Sequence, residues 1–483
     1  MEDTYSKIFT VYLPVVVALY YLSTFLLPPS NFPKNIPTIP FYVSFLGTYT
    51  PLDQQDIYNI YLREKLEKYG AVKIYFASRW NILVSKPEYL QQVFKDEDIF
   101  AKSGNHIKIP SSVLAAYTGD NIISAHGTTW KLYRDILTSA IQFPNLEPIA
   151  KNSERFVNLV EQNIAHHGSS LQIGDMVQRL ALQNIGDSML GLNLKLFEQT
   201  NPIIHSKLKL VKSQIFKPLF LNFPYLDTFP IPSRVKARKS VVEFRDYFCN
   251  LITSSHTQQS TSGTVSYKLV TALKEGKITE KQFHDNAMIV MIAGHENPQL
   301  LLSSLFYVLA KNPTVQETLR AKLQEPEVAL DNIAYLNAVI YETLRMYPPL
   351  GQIINRCTTQ DVLLGRNIRI PKGTYVGYNN FATGRDRTVW ENADNFVPER
   401  WGTSVEEVSR NYSRAKSNAT LPAFHGRKRA CLGERFALFE TKQCLQKLLK
   451  SYRLELDANW VDKITPGGPV SPRLLSIKFT EIT

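Results

Sequence analysis

Phe424-His425-Gly426-Arg427-Lys428-Arg429-Ala430-Cys431-Leu432-Gly433 runs directly into Glu434 to Lys450, ERFALFETKQCLQKLLK, whose apolar residues recur at helical spacing. A cysteine thus stands in a basic, glycine-flanked loop at the start of a predicted helix. Cysteine ligates a metal as the thiolate, and nearby Arg or Lys charges and a helix N-terminus are two devices that lower a thiol pKa. Arg427, Lys428 and Arg429 precede Cys431, so the stretch reads as a thiolate metal ligand; the bland alternative is a free cysteine in a basic surface loop. Gly433 lets backbone pass close to a flat cofactor where a side chain would obstruct it.

Three further patterns lie far apart in the chain. Glu342-Thr343-Leu344-Arg345 falls on a helix predicted from about Asn332 to Met346, where a spacing of three puts carboxylate and guanidinium on one face. Tyr347-Pro348-Pro349-Leu350 stops that helix. Phe396-Val397-Pro398-Glu399-Arg400-Trp401 follows, and Trp130-Lys131-Leu132-Tyr133-Arg134 precedes. In this order the four resemble the signatures of the cytochrome P450 (haem-thiolate) family: W-x-x-x-R, E-x-x-R, a P-E-R-F-like segment and F-x-x-G-x-R-x-C-x-G. One position departs, because the family's glycine four residues before the cysteine is Arg427, with Gly426 one place earlier.

The resemblance implies a mainly α fold with a smaller β-rich region, preceded by one N-terminal transmembrane helix. It implies haem b (iron protoporphyrin IX) with Cys431 as the axial metal ligand. Phe424 and Gly433 would line the loop beneath it, and Trp130, Arg134, Arg356 and Arg429 would hold its propionates. Glu342, Arg345 and Arg400 would form a buried triad, costly unless every member is paired. O2 would be co-substrate, with electrons from NADPH through NADPH-cytochrome P450 reductase. The location implied is the endoplasmic reticulum membrane, with the catalytic domain facing the cytosol.

Bulk properties suit this reading. At 44% hydrophobic and 20% charged residues, the 483-residue chain is an ordinary globular protein rather than a disordered one. Cys249, Cys357, Cys431 and Cys444 show no C-x-x-C pair or metal-finger spacing and read as reduced thiols. Ile8 to Leu27 is free of charge and close to the ~20 residues that span a bilayer. No small-residue cleavage site follows, so it reads as an uncleaved membrane anchor over residues 1–27. Residues 28–40, with five prolines, read as a stiff linker, and 41–483 as the oxidase domain.

The net charge of +12 does not indicate nucleic acid as partner, because the basic residues are scattered and no recognition module is visible. Two local clusters suggest better uses. Arg414, Lys416, Arg427, Lys428 and Arg435 suit an acidic electron donor, and Arg234, Lys236, Arg238 and Lys239 suit anionic lipid head groups. An ordinary solvated face is the alternative for both. Residues 71–76 and 80–85 read as paired strands, 367–378 returns to strand pattern, and His256–Ser266 reads as an exposed polar loop.

A long apolar helix predicted over Phe283–Lys311 carries Ala293-Gly294-His295-Glu296-Asn297-Pro298. The family has A-G-x-[DE]-T-[TS] above the haem, so Ala293, Gly294 and Glu296 match while Asn297 and Pro298 depart. Proline has no N–H and crowds the carbonyl four residues back, so the helix is expected to open at Gly294. Asn297 can hydrogen-bond a distal oxygen or water but relays protons poorly. Glu296 is the candidate proton source. His295 is a candidate second titrating group, against the alternative of a packed core histidine.

Thiolate ligation favours O–O cleavage, which serves either C–H oxygenation or phenol coupling. A narrower resemblance, to the yeast dityrosine-forming, spore-wall branch of the family, rests on DEDIFAKSGN, AAYTGDNIISA, AGHENPQLL, MYPPLGQIINRCTT and IPKGTYVGYNNFATG. It implies coupling of two N-formyl-tyrosine molecules into bis-formyl dityrosine during sporulation. Substrate contacts are expected from Asn105–Asn121, Phe216–Pro232 and Gly351–Ile354. Hydroxylation of a lipid, sterol or xenobiotic is the second reading, and a non-catalytic membrane-anchored haem sensor the third.

Overall fold

The computed structural model describes residues 12–255, 263–325 and 328–482. Five strands, β1 (Ala71–Phe76), β2 (Arg79–Val84), β3 (Phe100–Lys102), β4 (Gln352–Thr358) and β5 (Tyr375–Asn379), make one sheet in the order β1-β2-β5-β4-β3. The first two form an antiparallel hairpin in which Ala71 faces Val84 and Phe76 faces Arg79. Its two-residue turn, Ala77-Ser78, takes positive φ at both positions, as the twist of a tight hairpin demands. The sheet is otherwise antiparallel except where β2 runs parallel to β5.

Helices dominate the rest. Those that matter to the site are α1 (Leu13–Leu26), α2 (Gly127–Gln142), α3 (Gly174–Ile185), α4 (Ile203–Ile215), α5 (Pro232–Ser255), α6 (Glu280–Lys311), α7 (Ala334–Met346) and α8 (Glu434–Ser451). The 32 residues of α6 give a rod of about 48 Å, long enough to cross the molecule. A capping box, Thr279 with Gln282, starts it. Its N-terminal half packs in one core cluster with α3 and α5, and its C-terminal half in another with α7 and α8.

Several expectations are corrected. Pro298 does not open α6, which stays helical throughout; tight packing on neighbouring helices holds the turn that lacks one N–H. The predicted membrane anchor is neither borne out nor overturned: among the described residues no helix is long and apolar enough to cross a membrane. Of the predicted span Ile8–Leu27, residues 8–11 lie outside the described residues and α1 has 14 residues. The proline-rich segment 28–40 is laid along the sheet: Phe32, Ile36 and Ile39 are buried, and the Lys73 ammonium donates to the Pro33 carbonyl at 2.9 Å.

The basic cluster at 234–239 is not all surface. Arg234 is buried against Asp227, and Arg238 donates to the Asp227 carbonyl at 2.9 Å, leaving Lys236 and Lys239 exposed. Of the expected polar loop, residues 256–262 lie outside the described residues, and a helix already begins at Val265.

Candidate functional site

An interior cavity of about 240 Å³ lies between α6 and the loop that carries Cys431. Ile289, Val290, Ala293, Gly294, Asn297 and Pro298 wall it on one side, and Phe424, Arg429, Cys431 and Gly433 on the other. Cys431 presents its surface to this cavity while remaining enclosed by protein. The loop is tied back on itself by hydrogen bonds from Cys431 N to the Phe424 carbonyl (3.0 Å) and from Ala430 N to the Arg427 carbonyl (3.1 Å). Arg427, standing where a glycine was expected, adopts the left-handed conformation (φ 57°) that glycine takes freely. The substitution leaves the turn intact at a steric cost of about 1 kcal/mol.

Burial pushes the Cys431 thiol up to about 11, although backbone N–H groups at Gly433 and Glu434 and the Lys416 ammonium pull it down. A metal bound to sulfur deprotonates a thiol outright. The other cysteines are also unpaired thiols.

Behind the loop, α7 presents Glu342, wholly buried, to five donors. They are Arg345 Nε (2.9 Å) and Nη2 (2.8 Å), Arg400 Nε (2.9 Å), Val397 N (2.9 Å) and Trp401 Nε1 (3.1 Å). Fully paired, the predicted triad is a rigid brace rather than a buried liability.

One end of the cavity is strongly basic. Trp130, Arg134 and Arg429 line it, with the Arg429 guanidinium over the Trp130 ring at 4.1 Å and that of Arg134 at 5.3 Å. Arg356 stands behind them: Nη1 donates to the Phe100 carbonyl at 2.9 Å, while buried Nε and Nη2 have no protein partner. Sequence reasoning missed two residues here. Lys102 lines the same end, and Glu97 bonds Arg429 and lies 3.5 Å from Arg356. Burial favours the neutral form of Glu97, but Arg429 and Arg356 outweigh it and hold the carboxyl below its usual range. Lys102 and Glu97 both lie in the DEDIFAKSGN stretch, which was read only for its resemblance and not for site roles; the pairing of β3 with β4 sets Lys102 opposite Arg356.

The three distal candidates separate. Asn297 lines the cavity, its Nδ2 donating to the Ala293 carbonyl at 3.3 Å, so that Oδ1 is the acceptor it can offer. His295 is not on the cavity wall. It is wholly buried, with Nδ1 against the Met291 carbonyl (2.6 Å), Nε2 unpartnered, and burial bringing its pKa down to about 4. Glu296 is also off the wall and meets Lys212 of α4 at 3.0 Å. Helical geometry explains the split: consecutive residues are about 100° apart around the axis, so 295, 296 and 297 cannot share a face. Gly294 permits close helix contact, for a Cβ there would fall 2.3 Å from Ile185 of α3.

The cytochrome P450 family model matches residues 33–477. The chain belongs to the cytochrome P450 family. It is 47% identical over 96% of its length, and 96% of the relative's, to Cytochrome P450-DIT2 of Saccharomyces cerevisiae. It is 38% identical to the Cytochrome P450 monooxygenase xanG of Aspergillus fumigatus, over 92% of this chain and 87% of that one. The cytochrome P450DA haem domain superposes with a TM-score of 0.76 over 94% of this chain and 99% of that one, at 18% identity, which establishes the fold.

The chain is thus a cytochrome P450 oxidoreductase. The family implies a haem-thiolate centre, O2 and electrons from a redox partner, and the residues fit that group. A Cβ at Gly433 would meet only the Cys431 sulfur, at 4.0 Å, so open space lies beside the ligand where a flat macrocycle must pass. The unpartnered Arg356 nitrogens and the excess of cations at the basic end suit two propionates.

Proposed function

We propose that this cytochrome P450 joins two N-formyl-tyrosine molecules, ring carbon to ring carbon ortho to the phenols, to give bis-formyl dityrosine for a spore wall. The carrying observation is Ala293-Gly294-His295-Glu296-Asn297-Pro298, a departure from the family's usual threonine motif that resembles the dityrosine-forming branch and puts Asn297 and Pro298 on the cavity wall. The 47% identity to Cytochrome P450-DIT2 supports it. In balance, each ring loses one hydrogen as the carbon–carbon bond forms. One O2, two electrons and two protons complete the conversion to two waters.

The haem supplies O2 activation. Cys431 would hold the haem iron through its sulfur, and the loop hydrogen bonds accepted by the Phe424 and Arg427 carbonyls keep that sulfur in place. Asn297 Oδ1 orients a distal water or hydroxyl by accepting its hydrogen. Glu296, adjacent to Asn297 on α6 and paired with Lys212 at 3.0 Å, is the carboxylate this reading assigns to proton supply.

The electron donor in this reading is NADPH-cytochrome P450 reductase, received by the exposed Arg414, Arg427, Lys428 and Arg435. Lys416 is committed to Glu434 at 2.6 Å. The reading also places the protein on the endoplasmic reticulum bilayer. α1 exposes Leu13, Val16, Leu19 and Leu22, and its Phe25 packs against Phe41 (4.6 Å) and Phe223 (6.1 Å). Phe223 belongs to the segment that exposes Phe216, Leu219, Tyr225 and Phe229, so one apolar face joins helix and segment.

The test supplies the haem-loaded protein, reductase and NADPH with N-formyl-tyrosine and weighs the product. A covalent dimer without added oxygen is expected. A monomer heavier by one oxygen atom would replace this reading with hydroxylation, and no turnover would remove the tyrosine substrate.

A further inference from the structure

Two cations outside the haem cavity have no anion. Lys108 lies in the Asn105–Asn121 segment, only 4% exposed, and its ammonium makes one long bond, 3.3 Å, to the Ile354 carbonyl on β4. It therefore joins two of the segments expected to meet substrate. Arg79, at the start of β2, donates through Nη2 to the Lys108 carbonyl at 2.6 Å, and its buried Nε has no partner. The two charges flank one ring, with the Arg79 guanidinium 4.8 Å and the Lys108 ammonium 5.1 Å from the centre of Tyr375. Among the described residues no carboxylate forms an ion pair with either.

A buried ammonium beside a guanidinium, without a counter-charge, is costly in a folded protein. Burial, and then the Arg79 charge, bring Lys108 down to about 7. The ring faces of Tyr375 and Phe76 (5.2 Å from the ammonium) offset part of that cost but carry no net charge. What such a pair lacks is an anion.

We propose that Arg79 and Lys108 form the carboxylate-binding subsite for the substrate, a deepening that rests on the phenol-coupling reading above. N-formyl-tyrosine carries its only charge on the carboxylate, at the opposite end from the phenol that must reach the cavity. Arg79 takes a carboxylate through parallel N–H donors, and Lys108 adds a point charge. The same pair discriminates by repulsion. Free tyrosine brings an α-ammonium next to its carboxylate, whereas N-formylation removes that positive charge.

Equilibrium calorimetry on the haem-loaded protein tests this with N-formyl-L-tyrosine, its methyl ester and free tyrosine. Wild type is expected to bind the acid at least about tenfold more tightly than the ester or free tyrosine. Arg79→Gln and Lys108→Met each shrink the acid-to-ester ratio, and the double variant brings it to about one with ester affinity unmoved. Should Lys108→Met fail to load haem, Arg79→Gln decides alone, since Arg79 is half-buried and lies in a turn-proximal strand position. A ratio that survives in the variants, or its absence in wild type, overturns the subsite. Binding of none of the three overturns it together with the tyrosine reading. A variant-sensitive acid preference without dimer formation keeps the subsite and removes only the coupling.

Discussion

Two glutamates on opposite sides of the cavity are held in opposite ways. Glu342, behind the cysteine loop, accepts five hydrogen bonds, two from Arg345 and one each from Arg400, Val397 and Trp401. Glu296, on the long helix, meets a single ammonium, Lys212 at 3.0 Å. Around it lie buried polar atoms without partners: His295 Nε2, His205 Nε2 and the Tyr117 hydroxyl. A carboxylate with every lone pair engaged is a fixed anchor, and the network around it reinforces itself. Groups left singly bonded or unbonded in a low dielectric carry a desolvation cost without that compensation. The cysteine side is braced by a saturated network, and the α6 side is not.

The most severe way to break the contrast is at the ligand. Cys431→Ser is expected to abolish oxidative turnover and to remove the red-shifted Soret absorption of the ferrous carbon monoxide complex, read by difference spectroscopy. A retained shift would show that another residue ligates the iron. Next comes the anchor. Glu342→Ala leaves the buried Arg345 and the partly buried Arg400 without their shared carboxylate and is expected to cost about 3–5 kcal/mol in chemical denaturation.

On the distal side, the prediction is a pH effect. His295 has a folded pKa of about 4 against an ordinary value of 6.5 because burial disfavours its charged form. Between those values the unfolded chain binds more protons than the folded one, so stability rises with pH there and falls on acidification from 6.5 toward 4. The fully buried ring accounts for roughly 3 kcal/mol of that loss. In thermal melts at pH 7 and pH 5, His295→Gln should show a markedly smaller drop than wild type. The smallest expected effect sharpens the ligand side: Arg427→Gly relieves a left-handed arginine and should stabilise by about 1 kcal/mol, seen as a rise in melting temperature.

The ligand side was legible because its motifs are local. Cys431, Phe424, Arg429 and Gly433 fall within ten residues that match one family signature, and Glu342 and Arg345 fall within one helical turn, so resemblance named the first set and spacing paired the second. Trp130, Arg134 and Arg356 were reachable by resemblance; Trp130 and Arg134 line one end of the cavity, and Arg356 stands behind them. The distal side was read less well. Adjacent letters in His295-Glu296-Asn297 suggested a shared role, yet the helix sends only Asn297 to the cavity. Lys102 and Glu97 lay inside the quoted DEDIFAKSGN stretch but were given no role, since a lysine or glutamate in a strand or turn is normally solvated.

By itself the sequence marked the cysteine loop, the Glu342–Arg345 pair, the paired strands at 71–84 and the long helix, because each depends on the character and spacing of near neighbours. Tertiary structure decided which face of α6 meets the cavity, that Pro298 leaves the helix whole, that Arg427 bears the strained turn, and that Arg79 and Lys108 stand together without an anion. These outcomes depend on charge, desolvation and packing among residues hundreds of positions apart. Such energies exist only once the chain has closed on itself.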